Sequence, residues 1–329
     1  LEAALVYSNL HSSNSKKEIY FLLTIDTEED QWGVYNGSEY TCNNIRALPA
    51  FHSLATKFGV LPTYLITHQV TLDPFSREFF KGIAKDKSGE IGVHCHPWNS
   101  PPFLEPGNEF NSMLSNLSFD IQYEKISRLK ERVDEICGLS KSFRAGRWAL
   151  SNDVVRNLKR LNFTVDSSAT PFYSWIPNGQ LQFSGLGVPS IYYLDGSERK
   201  LLEVTPTISF VGPFASVLRK YPQVLQSKIA RFCRIPKVAS YLGTSLVWLT
   251  PELSSFNRMV QLIDELKVQE GKLIFNVIVH SQSLSLGFSP YARVTSEVNR
   301  IIETFTKLFE LKVERGWRAI TLSDSHTII

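Results

Sequence analysis

The chain has 329 residues, 43% hydrophobic and 20% charged, with a formal net charge of +3. That length suffices for a large α/β core in one or two units, and so small a charge gives no ground for a nucleic-acid or anionic-membrane partner. Apolar runs such as 273–279 are too short to span a bilayer, and four scattered cysteines with no C-x-x-C pair argue against a disulfide scaffold or a zinc ribbon.

Residues 1–17 read as an irregular lead-in, and 18–329 as a single domain. The apolar run 18–25 predicts a buried first strand that leads into Asp26-Thr27-Glu28-Glu29-Asp30. The spacing of Ile45, Leu48, Phe51, Leu54 and Phe58 predicts a helix over 43–58, with Pro49 as a kink or early-turn residue and Gly59 as its stop. A strand over 62–67 follows, then a helix near 76–86, then a strand ending at His94. Residues 119–137 carry a strong amphipathic helical pattern closed by Gly138. Beyond it the expected elements are a strand at 142–144, a helix at 152–161 and a strand at 163–167. An insertion is expected at about 171–240, with a strand at 201–205 and a basic helical stretch over 214–234. Strands at 245–249 and 273–280 flank a helix at 254–269, and a helix over 293–315 precedes a last strand at 317–322. Strands alternating with helices predict a parallel sheet or barrel. No G-x-G-x-x-G opens a helix after the first strand, so the expected fold is a distorted (β/α) barrel of about seven or eight strands.

Polar residues at strand ends carry the chemistry. His94 and His96 sit at i and i+2, so along a strand they face the same way, and Pro97 ends the ladder. Asp26 and Glu28 have the same spacing. If both strand ends lie on one carboxyl face, two carboxylates and two imidazoles converge, which suits Zn²⁺ or a similar divalent ion in a hydrolytic site. The bland alternative is a solvated acidic loop beside two unrelated histidines. His280 ends the very apolar run 273–279, where it is either a satisfied core histidine or a general acid. Arg144 can hold a catalytic carboxylate ionised and Trp148 can offer a flat face to a sugar ring, or the two are an ordinary salt bridge and a packed aromatic. Asp166 either orients His280 or caps the next segment.

The runs Leu22-Leu23-Thr24-Ile25-Asp26-Thr27-Glu28, Pro62-Thr63-Tyr64-Leu65-Ile66-Thr67 and Glu90-Ile91-Gly92-Val93-His94 resemble the polysaccharide deacetylase (NodB-homology, carbohydrate esterase) family. Phe143-Arg144-Ala145-Gly146-Arg147-Trp148, Asp166-Ser167-Ser168 and the strand ending in His280 follow in the family's order. The resemblance spans roughly 18–285 and is closest to an atypical bacterial branch. It implies a metal-dependent hydrolase that removes acetyl groups from N-acetylated sugars on a distorted barrel. By the family pattern Asp26 matches the general base, His94 the first metal histidine, Arg144 the tether of the base and His280 the general acid. Thr27 stands where a second aspartate is usual, so Glu28 takes the ligand role. Trp98 stands where the second histidine is usual, so His96 takes that one. The motif around Arg144 lacks its usual proline and carries a second arginine, Arg147. Trp98, Arg147, Trp148 and the aromatics of 172–193 are the expected sugar contacts. The implied cofactor is a divalent metal, with Zn²⁺ preferred, and the implied partner is a glycan. The competing readings are a hydrolase of non-sugar amides and a non-catalytic carbohydrate-binding protein. Glycan identity, oligomeric state and compartment stay open, with a soluble, cytoplasmic location favoured.

Overall fold

A computed structural model describes residues 18–35, 39–173, 191–221, 241–266 and 272–329. The expected lead-in over 1–17, much of the 171–240 insertion, the far part of the 214–234 helix and the end of the 254–269 helix lie outside the described residues.

The first strand, β1 (Glu18–Thr27), is almost wholly buried along its length, as suits a parallel strand with both faces covered. Down one edge it pairs with β10 (Lys272–His280) from Glu18↔Lys272 to Asp26↔His280. Its other edge is shared. The first half pairs with β11 (Arg318–Ile320), and from Thr24 onward it pairs with β2 (Thr63–Ile66). The sheet continues in parallel through β3 (Glu90–Cys95), β4 (Ser142–Ala145), β5 (Val165–Asp166) and β7 (Leu202–Val204). It ends on the antiparallel edge strand β6 (Ile191–Tyr193).

A second sheet pairs β8 (Ile208–Val211) with β9 (Ser245–Trp248), antiparallel. The run 245–249 is a strand as expected, but it lies outside the main sheet. This hairpin closes the curl. Thr207 N donates to Asn276 O at 3.1 Å, Leu249 N to Thr207 O at 2.9 Å and Ile278 N to Leu249 O at 3.2 Å, so the hairpin is laced onto β10. The result is a distorted (β/α) barrel.

Helices cover the outside: α1 (Leu48–Lys57), α2 (His68–Leu72), α3 (Pro74–Asp86), α4 (Phe119–Cys137), α5 (Asn152–Arg160), α6 (Ala215–Lys220), α7 (Phe256–Glu265), α8 (Thr295–Glu314) and the short α9 (Ser325–Ile328). The 43–58 prediction resolves into a 3-10 turn and then α1, with Pro49 in the first helical turn where its missing N–H costs nothing. Asp73 caps α3 by accepting from Ser76 N at 2.8 Å, and Ser151 caps α5 by accepting from Val154 N at 3.3 Å. Ile126, Leu129, Val133 and Ile136 of α4 and Ile301, Phe305, Leu308 and Phe309 of α8 are buried against the sheet. Each such side chain contributes about 1.5–3 kcal/mol.

The amino-terminal ends of the strands are tied by Glu90. Its carboxylate accepts from Ser142 Oγ at 2.5 Å, Ser323 N at 2.9 Å and Thr63 Oγ1 at 3.2 Å. Because the main strands run parallel, their carboxyl ends share the opposite face. Among the described residues no helix is long and apolar enough to cross a membrane.

Candidate active site

That carboxyl face gathers residues from five strands. Glu28 follows β1, His94 lies in β3 and His96 follows it, and Glu28 Oε1 stands 3.1 Å from His94 Nε2 and 3.2 Å from His96 Nε2. The imidazole rings are 4.5 Å apart and nearly perpendicular. His94 Nδ1 donates to Arg144 O at 3.0 Å, which leaves Nε2 as the ring nitrogen that faces Glu28. Burial works against the charge on Glu28, but His96, and then its hydrogen bonds with His94 and His96, holds its carboxyl well below the usual range. For His94, burial lowers the pKa, yet Asp26 and Glu28 outweigh it and leave it raised.

Asp26, at the end of β1, is 3% exposed and meets Arg144 Nη1 at 2.5 Å. Arg144 is fully buried, and a bare guanidinium there would be prohibitive. Three more of its five N–H donors are taken: Nε by Ser167 O at 2.9 Å, Nη2 by Thr24 Oγ1 at 2.8 Å and Ser167 Oγ at 2.9 Å. Burial would raise the Asp26 carboxyl, but Arg144 and then His94 hold it below its ordinary value.

His280 ends β10 with Nε2 3.9 Å from Asp26 Oδ2. Its Nδ1 donates to Glu252 at 3.1 Å, and its own backbone N–H binds the same carboxylate at 3.1 Å. Burial disfavours the charged ring, but Glu252 wins and the pKa is pushed up to about 10.

Asp166 does not touch His280. Buried on β5, it accepts from Ser168 Oγ at 2.6 Å, and burial raises its pKa beside Glu203. Glu252 fills the orienting post instead, because the β8–β9 hairpin delivers residue 252 to the end of β10. Sequence reasoning missed it, although an acid just past a strand end was the available signal. Trp32 was missed as well; its ring lies 4.8 Å from that of His280. Thr24 and Ser167 lie in the motif runs, but their bonds to Arg144, 120 and 23 residues away, had no local signal.

Trp98 lies against His96, ring centres 4.0 Å apart. Arg147 and Trp148 both have positive φ, 54° and 57°, a strained pair of the kind found at functional sites. The Trp148 ring receives the Arg144 guanidinium at 5.1 Å, and Arg147 stacks over Tyr35 at 5.2 Å. Gly146 is compelled by the site. A Cβ there would strike His96 Nδ1 and lie 2.8 Å from Cys95 O.

Trp32, Tyr35, Trp98, Arg147 and Trp148 wall a pocket of about 210 Å³ whose floor is Asp26, Glu28, His94, His96 and His280. One oxygen and two nitrogen donors, from Glu28, His94 and His96, lie within 4.8 Å of one another and form a group able to hold a metal. A second such group, of Asp26, Glu28 and His280, shares Glu28. In the second, Asp26 and His280 already have Arg144 and Glu252 as partners, which favours the first.

Fold and site define a (β/α)-barrel protein with an acid–imidazole centre at the carboxyl ends of its strands. No protein-family model matches the sequence, and no curated protein matches it. Solved structures share the fold. A candidate polysaccharide deacetylase from Mycobacterium smegmatis aligns with a TM-score of 0.54 at 12% identity, over 96% of this chain and 92% of that one. A candidate glycoside hydrolase/deacetylase from Parabacteroides distasonis gives 0.55 at 12% identity, over 94% and 71%. A 4-alpha-glucanotransferase from Thermococcus litoralis gives 0.56 at 8% identity, over 95% of this chain and 41% of that one. Identities this low speak to the fold, which different activities share.

Proposed function

We propose that this protein is a metal-dependent hydrolase that removes N-acetyl groups from a polysaccharide or oligosaccharide. The observation that carries the reading is the convergence of Glu28, His94 and His96 on one point, with the Asp26–Arg144 and His280–Glu252 pairs beside it.

Glu28, His94 and His96 would hold the ion, taken as Zn²⁺ from its two nitrogen donors and one carboxylate. When bound, such an ion supplies Lewis acidity toward a carbonyl oxygen and lowers the pKa of water. Asp26 has one oxygen occupied by Arg144, so Oδ2 is the atom that takes a proton from the attacking water. Ionisation of Asp26 by Arg144 keeps that oxygen receptive. His280 has Nδ1 committed to Glu252, so Nε2 delivers a proton to the departing amine. An amide needs this delivery because its nitrogen leaves poorly as an anion. Trp32, Trp98 and Trp148 exclude water and offer flat faces to a sugar ring.

Metal content of the purified protein and acetate release from N-acetylated oligosaccharides test the reading together. Wild type carries about one equivalent of metal, and His94→Ala loses it along with activity by at least ~100-fold. A metal-free wild type whose activity survives in His94→Ala sinks the proposal.

A further inference from the structure

Two buried acids take no part in the mechanism above. Asp166 on β5 and Glu203 on β7 stand opposite one another in register, so their side chains share a face of the sheet. Their neighbour in register on β4 is Phe143, a core residue, so that face looks away from the pocket into the apolar layer under the helices. Both carboxyl groups are wholly buried, and they are hydrogen-bonded to each other.

Two carboxylates in contact in such a place cannot both be ionised, so a proton lies between them. The hydrogen bonds around them locate it. Asp166 Oδ1 accepts from Ser168 Oγ at 2.6 Å and Oδ2 from Ser168 N at 3.3 Å, while Glu203 Oε1 accepts from Ala169 N at 3.0 Å. Glu203 Oε2, equally buried, receives no donor from the described residues, which marks it as the oxygen to carry the hydrogen. Burial, and then Asp166, push the Glu203 carboxyl well above its ordinary range, which agrees with this placement.

The turn that these acids hold is the bed of Arg144. Ser168 Oγ accepts from Ala145 N at 2.8 Å, and Ser167 binds the guanidinium through both its carbonyl and its hydroxyl at 2.9 Å. Arg144 in turn holds Asp26, whose placement decides where the attacking water loses its proton. Ala145 also leads directly into Gly146 and the positive-φ residues Arg147 and Trp148.

We infer that Asp166 and Glu203 share a single proton, with Glu203 as the neutral acid, and that they are positioning residues for Arg144 and, through it, for Asp26. The shared proton stands apart from the deacetylase reading, while the effect on rate rests on it.

Infrared spectra of protein carrying isotope-labelled glutamate test the proton at neutral pH. Wild type shows a protonated-carboxyl C=O stretch that Glu203→Gln removes. The buried Glu29 and Glu90, whose carboxyls are also raised, are present in both proteins and cancel in the difference. Identical carboxyl bands in the two proteins overturn the inference. Acetate release by the metal-loaded protein tests the positioning. Glu203→Gln keeps a neutral donor against Asp166 and holds kcat within about twofold of wild type. Glu203→Met fills the space without a donor and lowers kcat about tenfold at unchanged KM, where a general loosening of the pocket would raise KM as well. Ser168→Ala cuts the same link from its other end, does not depend on how residue 203 packs, and gives the same pattern. Unchanged kcat in both Glu203→Met and Ser168→Ala, or an equal loss in Glu203→Gln, overturns the positioning role. The infrared difference without acetate release from any substrate removes the deacetylase reading and keeps the shared proton.

Discussion

Glu252 shows how one side chain sets the working state of another. Its carboxylate holds both His280 Nδ1 and the His280 backbone N–H, and it raises the histidine against the opposing effect of burial. His280 is therefore the imidazolium at neutral pH, and in the free enzyme the acid form disappears only as pH rises toward about 10. Glu252→Gln keeps the shape and removes the charge. We expect kcat/KM to fall about tenfold at pH 7, and its alkaline limb to move to lower pH. A pH–rate profile checks this, because a merely structural role lowers the whole curve and leaves the limb in place. Asp26, Glu28, His94 and His280 were legible as site candidates because each ends or follows a predicted strand. Glu252 follows a predicted strand too, but nothing local says that this strand is delivered to the end of β10.

At the scale of elements, the turn after His96 depends on α4. The apolar spacing of that helix is legible in sequence, but Lys125 reads as one more solvated charge. In the fold its ammonium gathers three carbonyls and Glu105 from the segment 97–105. Those carbonyls carry no residue-specific signal, so only coordinates reveal the arrangement. Lys125→Met leaves them and the Glu105 carboxylate unpaired. The expected loss is about 3–5 kcal/mol of stability, read as a lower midpoint in thermal unfolding. Adding Glu105→Gln restores part of it, because the uncompensated charge is gone. An unchanged midpoint in Lys125→Met counts against this account of the turn.

For the molecule as a whole, stability depends on pH through a group outside the lining of the catalytic pocket. His68, at the start of α2, is pushed down to about 4 by burial and by Arg132. The unfolded chain binds a proton at this residue near pH 6.5, the folded chain only near 4. Stability from the neutral ring is thus complete above about 6.5 and is lost as pH falls toward 4. Between those limits wild type loses stability with acid more steeply than His68→Asn, which denaturant midpoints at stepped pH will show; parallel slopes refute it. The sequence alone determined the order of the longer strands and helices, though not the short α2, β6, β8 and α9, because buried parallel strands and amphipathic helices need distinct apolar periods. It also placed acids and histidines at strand ends, since alternation along a strand sets which side chains share a face. Tertiary structure decided the rest. The β8–β9 hairpin leaves the main sheet and closes the curl through backbone bonds to β10, Asp166 turns to Ser168, and Glu252 reaches His280. Backbone pairing between distant segments is indifferent to residue type, so no local pattern could have specified it.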